Sequence, residues 1–208
     1  MNNKNTADKW VNKILSLSIF YRLFKAIIKS KNVQLKVVQS IKPKAGLKIL
    51  DIGCGNGDIL EHLPGVNYSG FDANGSYIKA AKTRYGSSAD FKICDLVKYK
   101  LKPNEQYDVV LAAGILHHLN NKECEILLSL SLKALKRGGK LVTLDGVIVD
   151  DQPFLARFLL QLDRGKHVRR KEEHEKIAKP FFPKIHSTIL NNLIRVPYTH
   201  LIMTCTKQ

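Results

Sequence analysis

The sequence predicts an open, doubly wound α/β sheet, and three observations carry that expectation. Apolar runs of strand length alternate with helix-length segments from residue 47 onward, which is the pattern of parallel strands joined by crossover helices. The first run, Leu47 to Ile52, breaks into a loop with glycine at every second position, Gly53-Cys54-Gly55-Asn56-Gly57. Three consecutive strands carry an acid at or just past their carboxyl ends, Asp51, Asp72 and Asp95. In open α/β sheets that edge is where ligands bind.

The elements follow in order. Trp10, Ile14, Leu17, Tyr21, Phe24 and Ile28 recur at steps of 4 and 3, so residues 8–30 read as one amphipathic helix. A short helix over 32–41 leads to the break Lys42-Pro43-Lys44-Ala45-Gly46. Strand one is 47–52, and its helix, 57–62, is stopped by Pro64-Gly65. Strand two is 67–71, followed by a helix at 75–84 with Gly86 beyond its end. Strand three is 90–93. Strand four, 108–112, is a short apolar run suited to a buried parallel strand. A helix over 122–136 closes on Lys-Arg-Gly-Gly, with cations in the last turn and glycine after it. Strand five is 140–145. Helical segments at 152–162 and 171–179 precede a closing hairpin, 184–191 and 198–206.

The glycine loop excludes two common readings. A dinucleotide loop reads G-x-G-x-x-G, but Asp58 stands where its third glycine belongs. A phosphate loop ends in G-K-[ST], and this one does not. Asp51, two residues ahead of Gly53, sits poorly against a pyrophosphate and suits a cation such as the ammonium of an amino-acid moiety. The segment resembles the first motif of the class I S-adenosylmethionine-dependent methyltransferases, in which the loop wraps the methionine part of the cofactor. The resemblance spans about residues 45–146. It implies a Rossmann-like, seven-stranded, mostly parallel sheet with an antiparallel last strand, and S-adenosyl-L-methionine as cofactor.

On that resemblance Asp51, Gly53 and Gly55 hold the methionine part. Asp72 receives the ribose hydroxyls, since one carboxylate can accept from two adjacent hydroxyls. Asp95 meets the adenine amino group, with Ala73 and Leu96 in apolar contact, and Ala113-Gly114 flanks the methionine part. Read singly, each Asp could equally cap the helix that follows it. The run Ala112-Ala113-Gly114-Ile115-Leu116-His117-His118-Leu119 resembles the fourth motif of the small-molecule methyltransferases. His117 or His118 could act as general base, because imidazole titrates near neutral pH. One of them could instead pack against the cofactor while the other faces solvent. Asp145, at the end of strand five, is a second base or substrate-binding candidate. Neither N-P-P-Y nor D-P-P-Y occurs, which argues against methylation of nucleic-acid bases by amino-methyltransferase chemistry.

The flanks would choose the acceptor. An insertion over 147–170 carries Arg164, His167 and Arg169. Arginine reads carboxylate and phosphate in a bidentate manner, so these three are candidates to bind an anionic acceptor; a solvated helix start is the competing reading. Tyr21 could contact the cofactor carboxylate or simply pack. Residues 1–46 hold ten Lys/Arg and one acid, over half of the chain's net charge of +16. Cations border the apolar stripe of 8–30 on both sides, as in a lid with a solvated rim or a helix lying on anionic lipid. Nucleic acid fits that interrupted face less well.

The expected organisation is one methyltransferase domain, 1–208: an N-terminal helical lid (1–44), a cofactor core (45–146), a substrate-side insertion (147–170), and a last helix with the closing strands (171–208). Four cysteines at 54, 94, 124 and 205 show no metal-ligand spacing, so no metal is expected, and they fit a reducing cytoplasm. The run Ile14 to Tyr21 is too short to span a bilayer, which takes about 20 residues. The expected activity is methyl transfer to O or N of a small-molecule, sugar or lipid head-group acceptor. Alternatives are an RNA or protein methyltransferase, or a non-catalytic S-adenosylmethionine-binding subunit. The last would show a broken loop or lost acids, and this chain shows neither.

Overall fold

Strand order, not strand count, places the site. The computed structural model describes residues 31–96, 99, 101, 105–154, 156, 157, 160, 167–191, 193 and 197–208. Its elements are α1 (Lys31–Ile41), β1 (Lys48–Ile52), β2 (Asn67–Asp72), α2 (Gly75–Tyr85), β3 (Asp90–Ile93), β4 (Tyr107–Ala113), α3 (Asn121–Ala134), β5 (Leu135–Ile148), β6 (Arg169–Arg170), α4 (Lys171–Ala178), β7 (Lys184–Leu190) and β8 (His200–Thr206). The sheet runs β3-β2-β1-β4-β5-β8-β7, with β6 beside β5. Strands β1 to β5 pair in parallel, and β8 is antiparallel to both β5 and β7. Because β1 lies between β2 and β4, the order reverses there. The crevice beyond β1 and β4 is the topological switch point.

The sheet is covered on both faces. Ile49, Tyr68, Phe91, Val109 and Leu111 pack with Val33, Val37 and Ile41 of α1 and Ile78 and Ala81 of α2. Leu50, Ile52, Phe71, Val110 and Ala112 pack with Leu127 and Leu128 of α3, Ala178 of α4, and Phe182. Alternate residues of β1 thus enter opposite cores, as a strand buried on both faces requires. Each such Val, Leu, Ile or Phe side chain contributes about 1.5–3 kcal/mol by leaving water. Local signals set the helix ends. Asn74 caps α2 by accepting from the Ser76 N–H. Asn120 and Glu123 form a reciprocal capping box that opens α3.

Three local expectations need correction. The third crossover helix stops at Ala134, because Leu135 already pairs with Tyr107; Lys136 to Gly139 instead form the irregular start of a longer β5, with Gly138 at φ 78°. The segment after the glycine loop is a single 3-10 turn, Asp58–His62. Arg169 and Arg170, read as part of an insertion or helix start, form a short parallel strand against Val147 and Ile148. The amphipathic helix at 8–30 lies outside the described residues, as does most of 152–162. Among the described residues no helix is long and apolar enough to cross a membrane. The chain enters α1 from the carboxyl edge: Asn32 bonds Leu193 in the β7–β8 connection, while Ser40 O accepts from Lys140 Nζ at the opposite edge.

Candidate active site

The glycine loop is shaped by backbone. Gly53 and Cys54 both donate to Phe71 O, at 2.7 and 3.0 Å, hooking the loop over β2. Gly55 and Gly57 have φ of 55° and 72°, a left-handed conformation that other residues adopt at a cost. Their surroundings differ. A Cβ at Gly57 would lie 2.9 Å from the Phe91 ring, so packing demands glycine there. A Cβ at Gly55 would meet nothing within 4 Å, leaving open space on the side where a ligand would lie.

The acids anchor this loop. Asp72 accepts from Gly55 N at 2.9 Å and from Asn74 N at 2.8 Å, so it braces the loop while its carboxylate faces the crevice. Asp51 is 3% exposed and accepts from Tyr68 Oη at 2.5 Å. Burial raises its pKa to about 7, opposed by the Tyr68 hydrogen bond and reinforced by the nearby Asp72 charge. A buried carboxyl held between a phenol and another acid is a natural partner for a ligand cation. Asn56 Oδ1, in the same loop, is buried without a partner.

A cavity of about 150 Å³ opens beside the loop. Gly53, Asp72, Ala73 and Leu96 line it, with Cys94, Tyr99 and Ile115, which the sequence did not single out. Tyr99 is set by its ring contact with Phe71, 4.7 Å between centroids, and by donating to Glu105. Asp95 is exposed next to this cavity. Ala113 ends β4, and Gly114 donates to Leu144 O at 2.6 Å, carrying the chain over the switch point. A larger cleft of about 490 Å³ lies at the opposite edge, near Lys48, Asn67 and Asp90. It contains none of the expected site residues.

The β4–β5 side of the edge is built from distant residues. His117 sits in a 3-10 turn, Leu116–His118, just after β4. Its Nδ1 is 2.8 Å from Asp145 Oδ1, and its backbone N–H donates to the same oxygen at 3.2 Å. Both residues are buried, at 4% and 2% exposure. An ionised carboxylate only accepts, so Nδ1 carries the proton and Nε2 is the basic nitrogen. His118 is exposed, its ring tilted at 46° against that of His117 with 4.1 Å between centroids. His167 N donates to His117 O at 3.1 Å, so that residue steadies the turn through its backbone.

Arg169 corrects an expectation. It is 6% exposed, and its five N–H groups are taken by Leu116 O, Leu119 O, His167 O and, twice, Asn121 Oδ1. Its guanidinium therefore clamps the histidine turn to the start of α3 and has no donor left for an anionic acceptor. The neighbouring Arg170 is exposed enough to pair with Asp150. Arg164 and Tyr21 lie outside the described residues.

The sequence also passed over His174 and His200. Both are buried, at 3% and 2% exposure, on opposite faces of the sheet around Asp145. Burial lowers both pKa values, that of His200 to about 4, against the pull of the Asp145 charge. No spacing rule links residues so far apart in the chain. Among the described residues no group of three or more His, Cys, Asp or Glu is placed to hold a metal ion.

Comparison with known proteins agrees with this geometry. A family model described as a methyltransferase domain matches residues 49–139. The chain is 30% identical over 170 residues to the ubiquinone biosynthesis O-methyltransferase of Bartonella bacilliformis, covering 76% of this chain and 63% of that protein. It is 32% identical over 108 residues to the mitochondrial ubiquinone biosynthesis O-methyltransferase of Rattus norvegicus, covering 48% of this chain and 31% of that protein. The chain thus spans less than two thirds of the length of these curated relatives. Among solved structures, it is similar to a phosphoethanolamine N-methyltransferase 2 of Haemonchus contortus, in complex with phosphomonomethylethanolamine and S-adenosylhomocysteine (TM-score 0.69, 19% identity, 86% of this chain and 53% of that one). It is also similar to the plantazolicin methyltransferase BpumL in complex with a triazolic desmethylPZN analog and S-adenosylhomocysteine (TM-score 0.66, 16% identity, 93% and 90%). At these identities the structural likeness speaks for the fold alone.

Proposed function

We propose that this chain, which belongs to the class I S-adenosylmethionine-dependent methyltransferases, transfers the methyl group of S-adenosylmethionine to a hydroxyl oxygen of a small-molecule acceptor. The observation that carries the oxygen reading is the buried His117–Asp145 pair beside the cofactor crevice. A neutral amine needs no base to attack a methyl group, whereas a hydroxyl gains nucleophilicity as its proton leaves. The O-methyltransferase names of the sequence relatives support the same choice.

S-adenosylmethionine supplies an activated methyl on a sulfonium that departs as a neutral thioether. The residues fit such a ligand: an open Gly55, a carboxylate at Asp72 for the ribose, apolar walls at Ala73 and Leu96 for the adenine, and Asp51 for the ammonium. With the cofactor bound, His117 Nε2 would accept the proton of the acceptor's hydroxyl as that oxygen becomes the nucleophile. Asp145 holds the ring in one tautomer and stabilises the imidazolium that forms. Arg169 fixes the turn, so that the base keeps its place relative to the loop. The saturation of Arg169 fits an acceptor class of neutral hydroxyl compounds, since that arginine has no donor left for an anion.

The test is incubation with methyl-labelled S-adenosylmethionine and matched hydroxyl and amine compounds. Label on oxygen is the expected result. Label only on nitrogen, on RNA or on protein overturns the reading.

A further inference from the structure

The contact between Tyr68 and Asp51 depends on a missing side chain. In the parallel register Asp51 lies beside Gly70, while Tyr68 lies beside Ile49. Tyr68 is thus two residues short of Asp51 along the strands, about 6.6 Å, and alternation puts both on the same face. Gly70 has no side chain to separate them. A Cβ there would lie 2.9 Å from both Cys54 Sγ and the Phe91 ring. Phe91 also packs beneath Gly57, and its ring lies 5.7 Å from that of Tyr68. The phenol is therefore held against the underside of the glycine loop, where its Oη donates to Asp51 Oδ2 at 2.5 Å.

This bond has no substitute. Asp51 and Tyr68 are each 3% exposed. Among the described residues Tyr68 is the one hydrogen-bond donor on the Asp51 carboxyl, and no lysine or arginine pairs with it. The titratable groups around it are Tyr68 and Asp72 of β2 and Cys54 of the loop, with Tyr85 of α2 acting on Tyr68. From α1 the same core receives only Val33, Val37 and Ile41. Burial and the Asp72 charge both drive a proton onto Asp51, and the Tyr68 hydrogen bond alone opposes them. Burial, then the Asp51 and Cys54 charges, hold the Tyr68 phenol well above its usual pKa, so it stays a donor. A protonated Asp51 would offer a ligand ammonium no charge.

We propose that Tyr68 is a positioning residue for cofactor binding: its phenol keeps Asp51 available as a carboxylate and aims it at the cofactor's ammonium. Tyr68 acts through Asp51 and does not itself touch the ligand. The assignment rests on the reading of Asp51 as the partner of that ammonium.

The test is calorimetric titration of S-adenosylhomocysteine, which carries the same ammonium. Full-length wild type, Tyr68→Phe, Asp51→Asn and the double variant are compared between about pH 6 and 8, below the range where an α-ammonium is mostly lost. Buffers of different ionisation enthalpy report the protons released. The wild type is expected to release about half a proton at pH 7, where Asp51 is half ionised. Tyr68→Phe is expected to release more, and to bind roughly tenfold more weakly at pH 6.5, the equivalent of about one hydrogen bond. That deficit is expected to narrow between pH 7 and 8, as the variant's Asp51 ionises. In the Asp51→Asn background, where the release is lost, adding Tyr68→Phe is expected to change affinity little. Unchanged proton release in Tyr68→Phe, a deficit equal at every pH, or the same deficit in the Asp51→Asn background each overturns the proposal. Should Tyr68→Phe not fold, equal proton release by the wild type and Asp51→Asn overturns it alone. A wild type that binds no S-adenosylhomocysteine overturns the cofactor reading as well, and Asp51→Asn binding as tightly as the wild type overturns the ammonium reading on which the proposal rests.

Discussion

The two halves of the carboxyl edge are built on different principles. From β1 to β3 the chemistry is carried by backbone: a loop of left-handed glycines hooked onto Phe71 O, and strand-end carboxylates that follow it. From β4 to β8 it is carried by side chains brought together over long separations. His117 meets Asp145 across 28 residues and Arg169 meets Leu116 across 53. The first half is a shape that accepts a ligand of fixed chemistry. The second is a set of side chains fixed by one another, which can be exchanged without disturbing the loop.

The sharpest way to break this comparison is to remove the base. His117→Ala or Asp145→Asn is expected to lower kcat by about 10²–10⁴, with S-adenosylhomocysteine affinity near that of the wild type by calorimetry. Equal loss of cofactor binding would show that the halves are not separate. Arg169→Ala comes next. It strips donors from the Leu116 and Leu119 carbonyls and is expected to cost about 2–3 kcal/mol in denaturant unfolding. Arg169→Lys is expected to restore little of that, because an ammonium cannot span several carbonyls as a planar fork does.

How much of this was legible follows from the same division. Gly53, Asp72, Ala73 and Leu96, singled out in the sequence, surround one cavity, since each sits at a fixed offset from a strand end. Asp51 was readable as a partner for a cation. That Tyr68 would hold it was not, because only the β1–β2 register brings the two together. His117 and Asp145 were separate candidates whose pairing no local pattern specifies. Arg169 was misread because an arginine in a charged run looks the same whether it faces solvent or four carbonyl and amide acceptors. His174, in a charged run, and His200, at the head of an apolar one, carried no signal, since isolated histidines take meaning only from their neighbours in space.

The halves should also answer pH in opposite directions. Asp51 has a folded pKa of about 7, above its ordinary 3.8. Its contribution is full below pH 4 and is lost as pH rises through 7. His200 has a folded pKa of about 4, below its ordinary 6.5. Its contribution is present above pH 6.5 and is lost as pH falls toward 4. Each slope approaches 1.4 kcal/mol per pH unit within its window, so between pH 4 and 6.5 the two largely cancel. Urea unfolding across that range should show stability rising more steeply with pH in Asp51→Asn and falling more steeply with pH in His200→Phe. Parallel curves in both variants would show that neither group titrates as its burial demands. A smaller effect concerns ligation. At pH 6.5 Asp51 is largely protonated, so binding of an ammonium-bearing cofactor should release most of a proton, read from calorimetry in buffers of different ionisation enthalpy.

The central claim is that the glycine loop and its acids hold S-adenosylmethionine while the His117 side serves only the acceptor. Calorimetric titration of S-adenosylhomocysteine into the wild-type, Asp72→Ala and His117→Ala proteins tests it most directly. The account expects wild-type binding, a loss of about tenfold or more for Asp72→Ala, and no change for His117→Ala. Undetectable binding to the wild type, with NADH bound instead, would contradict it.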